Sequence, residues 1–399
     1  MGSMGPKKFI YLAFFGVCIL TVFSVVAGKA TKDKVHLSLA KNNSFEEIVS
    51  QEDFTKMEFA GSKTCISESY NNDLGNPQNI IGYQNNKFGL YIYAEEDYIE
   101  LAGDLVNSNG GDWGYVLLPI NVRDYDGGKW KKIFRKLNEK HLIPILQLWD
   151  LSKEDETGQL KECAQFLDSM EWPIKKRFIS VFNEPNDSRF WREKANPSEY
   201  AEILDKTISI FKNQNSNFFM LNGAFNSSAR DGGDYIDEVE FLTEMNKAVP
   251  GVFSKLDGWA SHSYPQPEYR GSPYSVGRDS IKAYDWELSL LNKLFGVKNL
   301  PVFITETGWA HAEGANYNDK FLSQDIVASY FVRAFNEVWN QDDRVVAVTP
   351  FTIRYSPPFD HFSWVDVNEN SYPQFKAVQS LPKIEGRPPY LIKKEVVCE

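Results

Sequence analysis

From residue 88 onward the chain alternates short apolar runs with segments whose apolar residues recur every three or four positions, the pattern of buried parallel strands and amphipathic helices. The strand-like runs fall at 88–94, 113–120, 142–149, 177–185, 218–225, 256–264, 301–309 and 345–353. The first helical stripes are Tyr98, Leu101, Ala102 and Leu105, then Trp130, Ile133, Phe134 and Leu137, then Leu160, Cys163, Ala164 and Leu167. Tyr200, Ile203, Leu204, Ile208 and Phe211 follow the fourth run, and Ile236, Val239, Leu242 and Met245 the fifth. Ile281, Tyr284, Leu288, Leu291 and Phe295 make the sixth stripe, and the seventh, from Ile326 to Val338, is the longest. A short helix near 375–378 ends the series. Eight such alternations predict an α/β fold, a (β/α)8 TIM barrel over residues 87–385 with a short tail at 386–399. The competing open, doubly wound sheet would be expected to carry a Gly-rich phosphate turn after an early strand, and the sequence holds none.

Two of the runs end in an unusual way. Arg177-Phe178-Ile179-Ser180-Val181-Phe182 breaks off at Asn183-Glu184-Pro185, and Pro301-Val302-Phe303-Ile304-Thr305 at Glu306-Thr307-Gly308-Trp309. A carboxylate at the C-terminal end of a barrel strand sits where such folds keep their reacting groups. The interval between Glu184 and Glu306 equals three βα units of ordinary size, so the acids belong to the fourth and seventh strands.

Asn183-Glu184-Pro185 and Glu306 in these positions resemble the clan A glycoside hydrolases, barrel enzymes with the acid/base on strand four and the nucleophile on strand seven. The resemblance covers residues 88 to about 380. It implies cleavage of a β-glycosidic bond with retention, in which a protonated carboxyl donates to the leaving oxygen and a carboxylate about 5 to 5.5 Å away attacks the sugar. Glu184 is then expected to carry the proton, and Glu306 to be held ionised by hydrogen bonds and a cation. Ser261-His262-Ser263-Tyr264 resembles the clan's His-x-Tyr, which implies a Tyr264 hydrogen bond to Glu306 and places His262 beside the acid/base. Arg123 resembles the arginine that some members set beside the nucleophile, and Asn183 the asparagine that binds the sugar 2-hydroxyl. Adjacent strand residues face opposite ways, so Asn183 and Glu184 reach one cleft only if the strand ends in a bulge or sharp twist.

Aromatics make up 14% of the chain, which suits stacking on sugars, and Trp149, Trp309 and Trp364 are the candidates near strand ends. The family places a tryptophan at the end of strand eight, where this chain reads Thr349-Pro350-Phe351-Thr352-Ile353. Either Trp364 reaches back or the floor of the site is built differently. Thr307-Gly308-Trp309 resembles families 17 and 39, and the His-x-Tyr resembles family 5.

The remaining features set the context. Lys7-Lys8 precede an uncharged run over 9–28, so residues 1–30 read as a signal peptide or an uncleaved signal anchor, and the protein as exported: secreted, or held at the outer face of the cytoplasmic membrane. Residues 31–86 are polar and read as a linker and an extension packed under the barrel. A net charge of −11 argues against nucleic acid and anionic lipid, leaving a carbohydrate as the expected partner of a monomer. Five scattered histidines with no metal-binding spacing predict neither metal nor cofactor, and no Gly-x-Ser-x-Gly elbow points to a serine nucleophile. Cys163 lies on a helix's apolar face and is expected to be a buried thiol, while a Cys65–Cys398 disulfide is open in an oxidising compartment. A non-catalytic glycan-binding barrel tethered to the envelope and a transglycosidase are the alternatives.

Overall fold

The computed structural model describes residues 64–71, 73–75 and 80–397, with the backbone alone described at 64–68 and 393–397. Residues 1–30, expected to be a targeting segment, most of the expected linker and Cys398 lie outside the described residues. Among the described residues no helix is long and apolar enough to cross a membrane.

After β1 (Thr64–Tyr70) the elements alternate strictly: β2 (Gly89–Tyr91), α1 (Glu96–Val106), β3 (Tyr115–Asn121), α2 (Gly127–Glu139), β4 (Ile143–Trp149), α3 (Glu156–Asp168), β5 (Arg177–Val181) and α4 (Pro197–Gln214). The second half runs β6 (Phe218–Asn222), α5 (Glu238–Ala248), β7 (Trp259–His262), α6 (Ala283–Phe295), β8 (Val302–Glu306), α7 (Gln324–Arg333), β9 (Val345–Val348) and α8 (Pro373–Gln379). A final strand, β10 (Leu391–Val397), occupies the stretch expected to be a tail and pairs antiparallel with β1. Cys65 stands opposite Val396 in that register, and its expected partner Cys398 is outside the described residues.

Strands β2 to β9 are all parallel, as the eight alternations predict, but their ladder is not one closed sheet. It divides into β2-β3-β4-β5-β6 and β7-β8-β9, with single bridges Leu221–Gly258 and Phe88–Val348 at the two seams. The seams have chemical causes. At the first, the Asn222 side chain makes the two bonds a backbone pair would make, donating to the Ala260 carbonyl (3.0 Å) and accepting from the Ala260 N–H (2.8 Å). At the second, Pro350 has no N–H to give and offers only its carbonyl, to the Tyr91 N–H at 3.0 Å.

The strands read as unbroken apolar runs because both their faces are covered. Inward residues Tyr115, Leu117, Ile143, Ile145, Phe178, Leu221, Phe303 and Ala347 form one core, while Val116, Leu118, Leu146, Ile179 and Ile304 alternate outward into the helices. Ile81 and Tyr83 join the inner core from just before the repeat begins, and the Tyr83 and Tyr115 hydroxyls meet at 3.1 Å at the N-terminal mouth. Cys163 is free and buried, and burial pushes its thiol up to about 12.

One latch bears directly on the opposite mouth. The Tyr200 hydroxyl, on α4, donates to the Val181 carbonyl (3.0 Å) and accepts from the Gly223 N–H (2.6 Å), tying together the C-terminal ends of β5 and β6. Gly223 has no room for a side chain, since a Cβ there would lie 2.6 Å from the Val181 carbonyl oxygen and 2.9 Å from that of Phe182. Gly223→Ala is therefore expected to cost roughly 1–3 kcal/mol in urea unfolding and to displace the β5 rim.

Candidate active site

Beyond β5 the backbone twists sharply. Phe182 has φ +74° and Glu184 φ +36°, a region that non-glycine residues seldom enter and that strained functional turns use. The twist answers the question of strand parity, because Asn183 and Glu184 both line one cleft. The Glu184 N–H is fixed to the Ala224 carbonyl at 2.9 Å, and its own carbonyl accepts from Asp187 at 2.9 Å. Asn183 is held by Gln147, whose Nε2 donates to its Oδ1 at 2.9 Å, and Gln147 in turn accepts from Trp149 Nε1 at 2.8 Å.

Glu306 ends β8, and β7 delivers His262 and Tyr264 between the two acids, helped by a register shift at Ser261/His262. His262 Nδ1 lies 2.9 Å from Glu184 Oε1 and 3.7 Å from Glu306 Oε2. The Tyr264 hydroxyl donates to Glu306 Oε2 at 3.0 Å. One ligand atom from each of Glu184, His262 and Glu306 lies within 4.8 Å of the others, so the acids of strands four and seven meet. That spacing could also hold a metal ion, although His262 is already hydrogen-bonded to Glu184, and Tyr264 to Glu306.

Burial raises the Glu306 carboxyl to about 7; the positive charge of His262 pulls it down, and the charge of Glu184 adds to the rise. The hydrogen bond and the cation expected to favour its anion are supplied by Tyr264 and His262, and both pull the carboxyl down against the larger influence of desolvation. For His262, burial alone would lower the pKa, yet the charges of Glu306 and Glu184 and the hydrogen bond to Glu184 raise it overall. A further negative influence on it comes from Glu287 of α6. Glu287 and Glu238 of α5 are both fully buried and interact with each other, Glu287 also with Ser261 and Trp259 of β7. Burial pushes Glu287 to about 7 and Glu238 well above the carboxylate range.

The cleft has a volume of about 370 Å³. Its walls are Trp149, Tyr91, Tyr93, Tyr264, Tyr269, Phe351, Tyr355, Phe359 and Phe362, with Arg189, Tyr235, Asn226 and Gln266 on the polar side. Arg189 is held over the Tyr235 ring, 5.0 Å from its centre, and donates from Nε to both oxygens of buried Asp187 at 3.0 and 3.1 Å.

Three expected site residues lie elsewhere. Arg123 pairs with Asp150 at the surface and does not line the cleft, because the turn after β3 carries it outward. Trp309 is buried among Tyr330, Phe331 and Trp339, with Nε1 bonded to the Gly271 carbonyl at 2.8 Å. Trp364 is buried against Phe331, 4.8 Å between ring centres. Phe351, just past the end of β9, lines the cleft where the resemblance implies a tryptophan. Tyr91, Tyr93 and Phe351 obey the same strand-end rule that singled out Trp149 and were legible by it. Arg189, Tyr235, Tyr269 and Phe359 come from loops, and Phe362 from a one-turn 3-10 helix, with no periodic signal.

Two measurements follow. A carboxyl whose pKa is raised on folding loses stability for the fold as pH climbs from its unfolded value toward the raised one, so Glu287→Gln is expected to gain up to about 3 kcal/mol relative to the native chain between pH 5 and pH 8 in urea unfolding. Trp309→Phe is expected to cost about 1–3 kcal/mol of stability without changing KM, whereas Trp149→Ala raises KM with little loss of stability.

No family model matches the chain, and no curated protein matches it. Among solved structures it is similar to a monomeric β-xylosidase from Caulobacter crescentus, with 18% identity, TM-score 0.53, and 78% of this chain and 70% of that one covered. It is also similar to a family 51 α-L-arabinofuranosidase from Bifidobacterium longum, with 11% identity, TM-score 0.52, and coverage of 79% and 76%. At these identities the likeness is one of fold: an α/β chain with a parallel central sheet, of the kind found in TIM-barrel glycosidases.

Proposed function

We propose that this protein is a retaining glycoside hydrolase that cleaves β-glycosidic bonds of an oligo- or polysaccharide by double displacement, with its eight parallel strands acting as a (β/α)8 frame. One observation carries the reading: carboxylate oxygens of Glu184 and Glu306 come within 4.8 Å of each other in an aromatic-walled cleft. That spacing suits direct attack on the sugar, whereas inversion needs room for a water at about 6.5 to 9.5 Å. The solved structures of similar fold named above are glycosidases, which supports the same class.

In this mechanism Glu184 protonates the leaving oxygen while Glu306 attacks the anomeric carbon, forming a covalent glycosyl-enzyme. Glu184, now a carboxylate, takes a proton from water as that water releases the sugar from Glu306. Tyr264 orients the nucleophile and favours its anion through the hydrogen bond to Oε2. His262 touches both acids, and its charge favours the Glu306 anion. Asn183 keeps its Oδ1 on Gln147 and its Nδ2 without a protein partner among the described residues, which suits a sugar hydroxyl. The apolar run over 9–28 supports export, consistent with a polysaccharide met outside the cell.

Aryl β-glycoside hydrolysis is the direct assay. Glu184→Gln is expected to lower kcat about 10²–10⁴-fold, and Glu306→Gln roughly 10³-fold or more. Proton NMR of the first product should show the β anomer, chelator treatment should leave the rate intact, and added acceptor sugars separate hydrolysis from transfer. Attack needs the Glu306 anion, so with a carboxyl near 7 kcat/KM should fall as pH drops below about 7. His262→Asn, which removes a positive charge, should move that limb to higher pH. Full activity in both glutamine variants would sink the assignment.

A further inference from the structure

A second hollow, of about 900 Å³, adjoins the cleft and shares the walls Tyr93 and Tyr355 with it. Those tyrosines follow β2 and β9, the first and eighth parallel strands, across the fold from Glu184 on the fourth. Since the acid must stand beside the leaving group, the hollow lies on the side that holds the retained part of the chain. Tyr98 and Tyr372 extend its aromatic wall.

Its charged groups are in unequal condition. Asp360 is buried and takes the Ala315 N–H on Oδ2 at 2.5 Å. Asp366 accepts from the Asn368 and Asn370 backbones at 2.8 and 2.9 Å and from the Asn370 side chain at 2.9 Å, so its carboxylate is committed to its own turn. Arg354 is half-buried with its guanidinium 5.4 Å from the centre of the Tyr98 ring. It makes no ion pair among the described residues, although Arg177, Arg189, Arg192, Arg278 and Arg344 all do. An arginine anchored beside an aromatic ring, with its donors free of carboxylates, suits the planar bidentate recognition of a carboxylate or sulfate.

We infer that this hollow is a sugar-binding region beyond the cleavage point, and that Arg354 there selects a substrate residue bearing an anionic group, a uronate carboxylate or a sulfate ester. The inference rests on the glycosidase reading and narrows it to an acidic polysaccharide, cleaved with several sugars bound at once. The tyrosines stack on the ring faces and the guanidinium takes the anion, while neutral chains occupy the hollow without the charged contact.

Calorimetry on the full chain carrying Glu306→Gln, which spares the bound chain, tests this with matched tetrasaccharides. The probes are xylotetraose against its glucuronate-substituted form, and a sulfated galactan tetrasaccharide against its desulfated form. At least one acidic probe should bind about tenfold tighter than its neutral match. The uronate and sulfate arms tell the two anions apart. Adding Arg354→Met should erase the difference and Arg354→Lys should retain part of it, the second variant guarding against a mere loss of fold. Equal affinity within both pairs, or a preference that survives Arg354→Met, overturns the inference. Hydrolysis of an aryl β-glycoside by the native protein is scored separately, so the glycosidase reading can stand when the acidic preference falls, and the reverse.

Discussion

The site depends on a buried imidazole standing between two carboxyls that are remote in sequence. His262 is almost wholly shielded from water and touches Glu184 at 2.9 Å and Glu306 at 3.7 Å. In so dry a place two carboxylates at this range repel strongly, and desolvation raises the Glu306 carboxyl. The imidazole makes the arrangement tenable by supplying a positive charge that both acids share. The charge of His262 bears on Glu306 and the charges of both acids bear on His262, so the protonation of the imidazole and that of Glu306 are linked.

Holding the trio requires a rigid rim, and the rim is assembled from departures from regular strand geometry. Phe182 and Glu184 adopt positive φ, β7 shifts register at Ser261/His262, and the Asn222 side chain takes over ladder bonds at a seam. Each departure turns a side chain that an ideal strand would aim elsewhere. The Tyr200 hydroxyl braces the two strand ends nearest Glu184, and Gly223 lets them approach. Regularity below, in the twin cores inside and outside the strands, supports irregularity above.

Behind the site a second pair of acids, Glu238 and Glu287, lies wholly buried between the outer helices and β7. Burial keeps their carboxyls inclined to stay protonated, which limits the negative field reaching His262. The polar interior on this side of the fold thus continues past the cleft, and the charge state of the imidazole reflects acids on both of its sides.

What could be read from the residues in order was whatever repeats or terminates a repeat. Eight apolar runs with eight helical stripes implied the parallel α/β architecture, and acids closing the fourth and seventh runs implied their meeting, because strand ends in such a fold share one mouth. Period-two alternation likewise put His262 and Tyr264 on one face. Individual aromatics resisted this logic: Trp309 and Trp364 turned inward to fill the helix–strand layer, since a large apolar ring near a strand end gains as much from packing as from facing a cleft. Arg123 found Asp150, a loop partner that no periodicity predicts. The chain by itself determined the order of elements and the pair of acids, properties set by local hydrophobic patterning. Only the tertiary structure decided which rings line the cleft, where the sheet breaks, and how far burial lifts the Glu306 carboxyl, because those depend on loops and neighbours brought together from distant parts of the chain.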